Sequence, residues 1–271
     1  MQFFKAIFLL IFISLILWLP ATYRRCFYPF RLNKCLIQWP HMPEWELTST
    51  DPIQKQKIDA LLKQPFSYFD RGSQSFVFLS EDKQYILKLF QFDTSPISIG
   101  KNLLKQCKLF LRAKIAGDRP PHPILIKNTF DSCKIAYDTI RKRTALEYIH
   151  LNPTPIFTKI HLKDRFGISH KIDSTHFRFV IQKKCTPFLS TYQSASEKEK
   201  HALLESYLSM FDEFRTLHVA NRDLAFNKNF GFLDGYAIAF DVGNFYLDPN
   251  AVDGDFNHFT TKVYEIINQA R

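Results

Sequence analysis

Apolar and polar positions along this chain fall into blocks of different period. Residues 3–19, FFKAIFLLIFISLILWL, are apolar almost throughout, with an uninterrupted run of 14 residues from Ala6 to Leu19. They predict an N-terminal apolar helix. A membrane span wants about 20 such residues, and the core of a secretory signal is often shorter. Residues 20–50 carry Pro20, Pro29, Pro40, Pro43, Trp39 and Trp45 and predict an irregularly packed linker. Phe76–Leu79 and Tyr85–Phe90 predict two strands, joined by the polar turn Ser80–Gln84 and preceded by a turn at Gly72. Residues 101–114 have helical period, with Lys101, Lys105, Lys108 and Arg112 on one face. That face is either solvated or laid on an anionic membrane. A second helix is predicted over 131–149. Pro155–Leu162 and Phe177–Gln182 predict a strand pair around a polar crossing. A long helix is predicted over 197–218, and two short strands, Phe230–Leu233 and Ala237–Phe240, around the turn Asp234-Gly235. The set describes an α+β chain without internal repeats.

The length of 271 residues suits one domain with an appendage, or two closely packed lobes. The 28 phenylalanines predict an aromatic core. A formal charge of +10 favours anionic partners: nucleotide, phosphorylated substrate or acidic membrane. No Lys/Arg run is interleaved with aromatics, so no nucleic acid is expected. Cys26, Cys35, Cys107, Cys133 and Cys185 are odd in number, widely spaced and without a C-x-x-C pair. This argues against a disulfide framework or a zinc site and for reduced thiols; a Cys26–Cys35 bridge in an exported protein is the alternative. Arg24, Arg25, Arg31 and Lys34 follow the apolar run, whereas Lys5 alone precedes it. The positive-inside bias therefore favours an uncleaved anchor with the rest of the chain in the cytosol, at the inner membrane. A cleaved signal and an exported protein remain the other case. The expected division is 1–22 anchor or signal, 23–64 linker and packing segment, and 65–271 the main domain.

The stretches with most chemistry are Gly72-Ser73-Gln74-Ser75-Phe76, Ile86-Leu87-Lys88, Asn221-Arg222-Asp223-Leu224 and Asp241-Val242-Gly243. Each alone fits an ordinary turn or strand, since Asp, Asn and Gly favour turns. As an ordered set they resemble the motifs of protein kinases: a glycine turn, a strand lysine, a catalytic loop, and a metal-binding aspartate followed by glycine. The resemblance implies a two-lobed kinase-like fold with a reduced C-terminal lobe, using ATP and Mg²⁺. It implies that Gly72, Ser73, Ser75 and Lys88 hold ATP, with Glu147, late in the 131–149 helix, as partner of Lys88. It implies Asp223 as the catalytic carboxylate and Asp241 as a metal ligand. The metal-binding asparagine would fall on Lys228, flanked by Asn227 and Asn229; Asn229 is preferred because it enters a strand.

Only 28 residues follow Gly243. That outline is similar to the small bacterial lipopolysaccharide-core sugar kinases. It suggests a membrane-tethered ATP-dependent phosphotransferase acting on a hydroxyl of a glycolipid, glycan or small molecule. The competing readings are a catalytically inactive pseudokinase, serving as a nucleotide- or protein-binding module, and a membrane-anchored interaction protein of unrelated α+β fold.

Overall fold

The protein was analysed as a computed structural model, which describes residues 30, 32–37, 39–47, 51–91, 122–155, 159–223 and 226–269. The segment 1–22, Cys26 and the basic stretch 101–114 lie outside these residues. Among the described residues no helix is long and apolar enough to cross a membrane.

Helix α1 (Pro52–Lys63) starts where the Asp51 side chain accepts from the Ile53 N–H, with Pro52 at the first helical position. Strands β1 (Phe66–Arg71), β2 (Ser75–Ser80) and β3 (Tyr85–Phe90) then run as an antiparallel meander. Helices α2 (His122–Thr139) and α3 (Arg141–Thr144) lead to β4 (Leu146–His150), β5 (Ile160–Lys163), β6 (Ser169–Ile172) and β7 (Phe179–Lys183). These seven strands make one sheet in the order β4-β7-β3-β2-β1-β5-β6. After it come β8 (Thr186–Pro187), α4 (Phe188–Ser194), α5 (Glu197–Thr216), β9 (Val219–Asn221), α6 (Phe226–Asn229), β10 (Phe230–Leu233), β11 (Tyr236–Ala239), β12 (Phe245–Leu247) and α7 (Val252–Gln269). Strands β11, β10 and β8 form a second sheet, and β12 pairs with β9. The architecture is α+β.

Register assigns each face of the large sheet. Phe78 lies opposite Leu87, which lies opposite Ile181; Val77, Lys88 and Val180 form the adjacent row. Because side chains alternate, the two rows point to opposite faces. The first face packs Phe76, Phe78, Leu89 and Phe179 on Ile58, Leu61 and Leu62 of α1. The second bears Val180, which joins a larger core with Phe130 of α2 and Tyr207, Phe211, Phe230 and Phe259 of the helical half. Phe211 and Phe259 stack at a centroid distance of 3.8 Å, so the abundant phenylalanines are core material. Asp234 and Gly235 both take positive φ, 52° and 81°, as a two-residue hairpin turn requires. At Gly231 a Cβ would stand 2.2 Å from the Thr186 carbonyl oxygen, so only glycine lets β8 and β10 approach.

The structure departs from the sequence expectations at two places. The helix predicted over 131–149 ends early. Ile140 leaves helical geometry, Ala145 takes φ 53°, and residues from Leu146 onward extend into β4. Pairing with β7 outweighs the helical period there. The strands predicted near 155–162 and 177–182 exist but do not pair. β5 pairs with β1 and β6, turning the polar crossing into a hairpin, while β7 pairs with β3 and β4.

His150 of β4 is buried, and its Nε2 meets the Ser174 carbonyl at 2.7 Å. Burial lowers its pKa from 6.5 to about 4, against the opposing effect of that bond. Between those two values the unfolded chain binds a proton that the folded chain refuses, so stability falls as pH falls. The expected loss across that window is about 3 kcal/mol at most. Urea unfolding from pH 7 to pH 4 should show it, and His150→Gln should flatten this part of the profile.

Candidate active site

Lys88 sits in the middle of β3, on the face turned towards α2 and the β10–β11 hairpin. Its residue is partly accessible, but its ammonium points inward and donates to the Phe240 carbonyl at 2.5 Å. Burial pulls its pKa below the ordinary lysine value, and the Asp241 carboxylate opposes that pull. The neighbouring thiols stay neutral near pH 7: burial pushes Cys185 up to about 11 and Cys133 higher still. Asp241 is therefore the charge that acts on the ammonium.

Asp241 stands two residues past the end of β11. The N–H groups of Phe240 and Asp241 both donate to the Asn229 carbonyl, at 3.0 and 3.4 Å. Asn229 is buried at the end of α6, and its Nδ2 donates to the Asp223 carbonyl at 3.3 Å. Lys88, Asp241, Asn229 and Asp223 are thus joined by one continuous set of bonds, although they come from separate parts of the chain. The Asn227 side chain lies outside what the structure describes.

The loop bearing Asp223 is held from below. Its N–H donates to Asn221 Oδ1 at 2.9 Å, an Asx turn that suits asparagine at 221. The Asn221 N–H in turn donates to Asp255 Oδ2 of α7 at 2.7 Å. Burial raises the Asp255 carboxyl, and the Asn221 bond opposes it. The Arg222 N–H donates to the Asn244 carbonyl, so this loop is also tied to the segment after Gly243.

Helix α2 fixes the Asp241–Gly243 loop by a route that the sequence did not disclose. Ser132 Oγ donates to the Val242 carbonyl at 2.7 Å and accepts from the Phe245 N–H at 2.5 Å. Thr129 Oγ1, one turn earlier, donates to the Leu125 carbonyl at 2.8 Å and lies 3.2 Å from Gln74 Oε1. Gln74 belongs to the glycine turn, and a Cβ on Gly243 would stand 3.0 Å from the same oxygen. The Gln74 side chain thus lies against both α2 and Gly243. Its backbone is closed on itself: the Gly72 N–H donates to the Ser75 carbonyl and the Gln91 N–H to that of Gln74. Ser73 is exposed, whereas Ser75 is buried in β2.

Glu147 is not the partner of Lys88. It stands on β4, not on a helix, and pairs with Lys57 at 2.9 Å and Lys183 at 3.9 Å. The acidic residues that α2 does carry are engaged elsewhere: Asp131 with Trp45 and Lys127, Asp138 with Lys134. What α2 presents towards the site is hydroxyl and thiol: Thr129, Ser132 and Cys133. Single polar residues on a helix face carry no periodic signal, so the sequence offered no means of finding them.

No family model matches the sequence, and no curated protein matches it. A comparison with solved structures finds a chain described as the streptomycin-ATP-APH(2")-IIa ternary complex. It is 13% identical, with a TM-score of 0.29, over 81% of this chain and 85% of that one.

Ser132→Ala removes a hydroxyl that serves two buried backbone groups. Leaving them unsatisfied should cost about 1–3 kcal/mol each at most. Thermal unfolding should therefore fall by several degrees in this variant, and Ser132→Thr should recover part of the loss.

Proposed function

We propose that this chain is an ATP-dependent phosphotransferase with a two-lobed kinase-like arrangement, acting on a hydroxyl acceptor. The observation that carries the reading is the bonded set linking Lys88, Asp241, Asn229 and Asp223. Phosphoryl transfer is a matter of positioning and charge: a cation for phosphate oxygens, oxygen ligands for a divalent metal, and a carboxylate beside the attacking hydroxyl. The four residues are of the kinds that supply these groups, and hydrogen bonds through the Phe240, Asn229 and Asp223 carbonyls link them, which supports the reading. Lys88 holds phosphate oxygens once its ammonium exchanges the Phe240 carbonyl for them. Asp223 orients the acceptor hydroxyl and takes its proton.

The donor set fits Mg²⁺. The Asn229 amide is oriented by its Nδ2 bond to Asp223, which leaves Oδ1 for a hard cation, and Asp241 offers a carboxylate. Among the described residues no three His, Cys, Asp or Glu side chains cluster as a metal cage. Two oxygen donors and an incomplete cage are what a magnesium site shared with nucleotide phosphates uses. The chemistry such an ion supplies when bound is neutralisation of the phosphate charge.

The fuller form of the proposal is a membrane-tethered enzyme at the cytosolic side of the inner membrane, acting on a glycolipid, glycan or small molecule. It draws on the apolar run of residues 1–22, the basic residues that follow it and the basic stretch 101–114. A second reading is a nucleotide- or protein-binding module without turnover. The contact of Gln74 with Thr129 and the pairing of Glu147 with Lys57 instead of Lys88 favour it.

Thermal unfolding with ATP, with and without Mg²⁺, and a nucleotide turnover assay separate these. A hundredfold excess of MgATP over its Kd should stabilise the chain by about 2.7 kcal/mol. Asp241→Ala should lose the magnesium-dependent part. Asp223→Ala should keep binding and lose turnover by about a hundredfold or more. Turnover unchanged in both variants would overturn the enzyme assignment, and binding without any turnover selects the second reading.

A further inference from the structure

The β5–β6 hairpin ends the large sheet on the β1 side, with β6 as its edge strand. Its inner face carries Ile160, Leu162 and Ile172, all buried in the core shared with α1. Its outer face carries a different set. His161 lies opposite Lys171 and Lys163 opposite Ser169, and all four are exposed. Lys159, just before β5, and Arg165, two residues after it, are exposed too. From 159 to 172 the chain thus presents four exposed Lys and Arg side chains against one carboxylate, Asp164, which is buried.

Asp164 is engaged inside the turn. Its Oδ1 accepts from the Phe166 and Ile168 N–H groups at 2.9 and 3.0 Å, and its Oδ2 meets His170 Nε2 at 3.0 Å. The Gly167 N–H donates to the Asp164 carbonyl, and Gly167 takes φ 79°, which glycine adopts without strain. Every N–H from Phe166 to Ile168 is therefore bonded within the turn. This closed turn holds Phe166 and Ile168 outward, each 58% exposed. Lysine on an edge strand guards against strand pairing. That accounts for Lys171, but not for the cations of β5 or for two large apolar side chains held in water side by side.

The place where the chain enters the domain bears on what covers this face. Phe30 is buried, and its ring meets those of Phe76, Phe78 and His170 at 5.0, 5.2 and 5.2 Å. His170 belongs to β6, so the chain is fastened to the hairpin at that point. The apolar run ends at Leu19, and ten residues separate it from Phe30. Such a tether spans at most about 40 Å. A bilayer that takes up the run is therefore held within that distance of the hairpin.

We infer that the β5–β6 hairpin is a membrane-docking element, whose outer cations take the headgroups of an anionic bilayer while its tip seats Phe166 and Ile168 at the acyl boundary. The inference rests on the membrane tether proposed above and adds which face of the domain meets the lipid. It is independent of the phosphotransferase chemistry. Each Lys or Arg near an anionic surface favours binding by about fivefold. Apolar side chains at the tip add burial that headgroup charge alone does not supply. A polyanion such as RNA would satisfy the cations but would offer Ile168 no apolar interior, so the tip favours lipid.

Phe166→Trp in the full chain, reconstituted into phosphatidylcholine vesicles with or without phosphatidylglycerol, tests this through quenching by brominated acyl chains. The parent chain supplies the background, and Trp18 in its apolar run reports the tether separately. With phosphatidylglycerol present, brominated lipid should lower the emission added at position 166 about twofold or more. In phosphatidylcholine alone, or at about 1 M salt, that loss should vanish. Lys163→Glu combined with Lys171→Glu should abolish it with the unfolding temperature unchanged, because both side chains are exposed. Ile168→Ser should reduce it. Emission from position 166 that brominated phosphatidylglycerol vesicles leave unchanged, or that phosphatidylcholine alone lowers equally, overturns the docking element. A response to polyuridylate in place of vesicles also overturns it and makes the face a nucleic-acid surface. Quenching of the parent chain with position 166 silent keeps the tether and loses the hairpin, and silence of both overturns both. Asp241-dependent MgATP binding is read apart from all of these, so the phosphotransferase reading stands or falls on its own.

Discussion

A lysine ammonium taken out of water must be compensated, and that constraint organises the centre of this protein. Lys88 points inward from β3, and what it finds is the carbonyl of Phe240 and the field of Asp241. An uncompensated buried cation would be strongly unfavourable. The contact therefore sets the distance between the large sheet and the β10–β11 hairpin. The hairpin is positioned in turn by Gly231, which lets it press on β8, and by the Asn229 carbonyl, which takes two N–H groups from its end. Asn229 carries the linkage on to Asp223. The geometry of the whole site is inherited from where one cation can be satisfied.

Helix α2 acts as the brace of this arrangement and not as a source of charge. Among the described residues it offers no carboxylate to Lys88; instead Ser132 binds backbone at Val242 and Phe245, and Thr129 meets the Gln74 side chain. Hydroxyls suit that work, since one oxygen can donate and accept at once. Lys88 therefore finds its hydrogen-bond acceptor at the Phe240 carbonyl, with Asp241 acting on it through its field.

Much of the framework was legible in the sequence because it is written in local periods. The β2–β3 hairpin, the helix beginning at Glu197 and the Asp234-Gly235 turn follow from alternation, helical period and turn residues. The preference for Asn229 over Asn227 rested on its entry into a strand, and Asn229 does precede β10, with its amide on the Asp223 carbonyl. Residues 131–149 were misread because a helical period and a strand edge look alike in a short apolar run. Only pairing with β7 decided the matter, by extending the chain after Ala145.

The sequence by itself determined which local elements form, the aromatic character of the core, and the order in which Lys88, Asp223, Asn229 and Asp241 occur. Those properties depend on neighbours within a few positions, and the chain carries them wherever it folds. Tertiary structure alone decided that Glu147 faces Lys57, that Ser132 and Thr129 brace the site, that Asp255 supports the Asp223 loop, and that Phe69 meets Lys184 across two strands. Each of these joins residues from distant parts of the chain through a single polar or aromatic contact. Such contacts leave no period to read, and they exist only once sheet register and helix packing have fixed the distances.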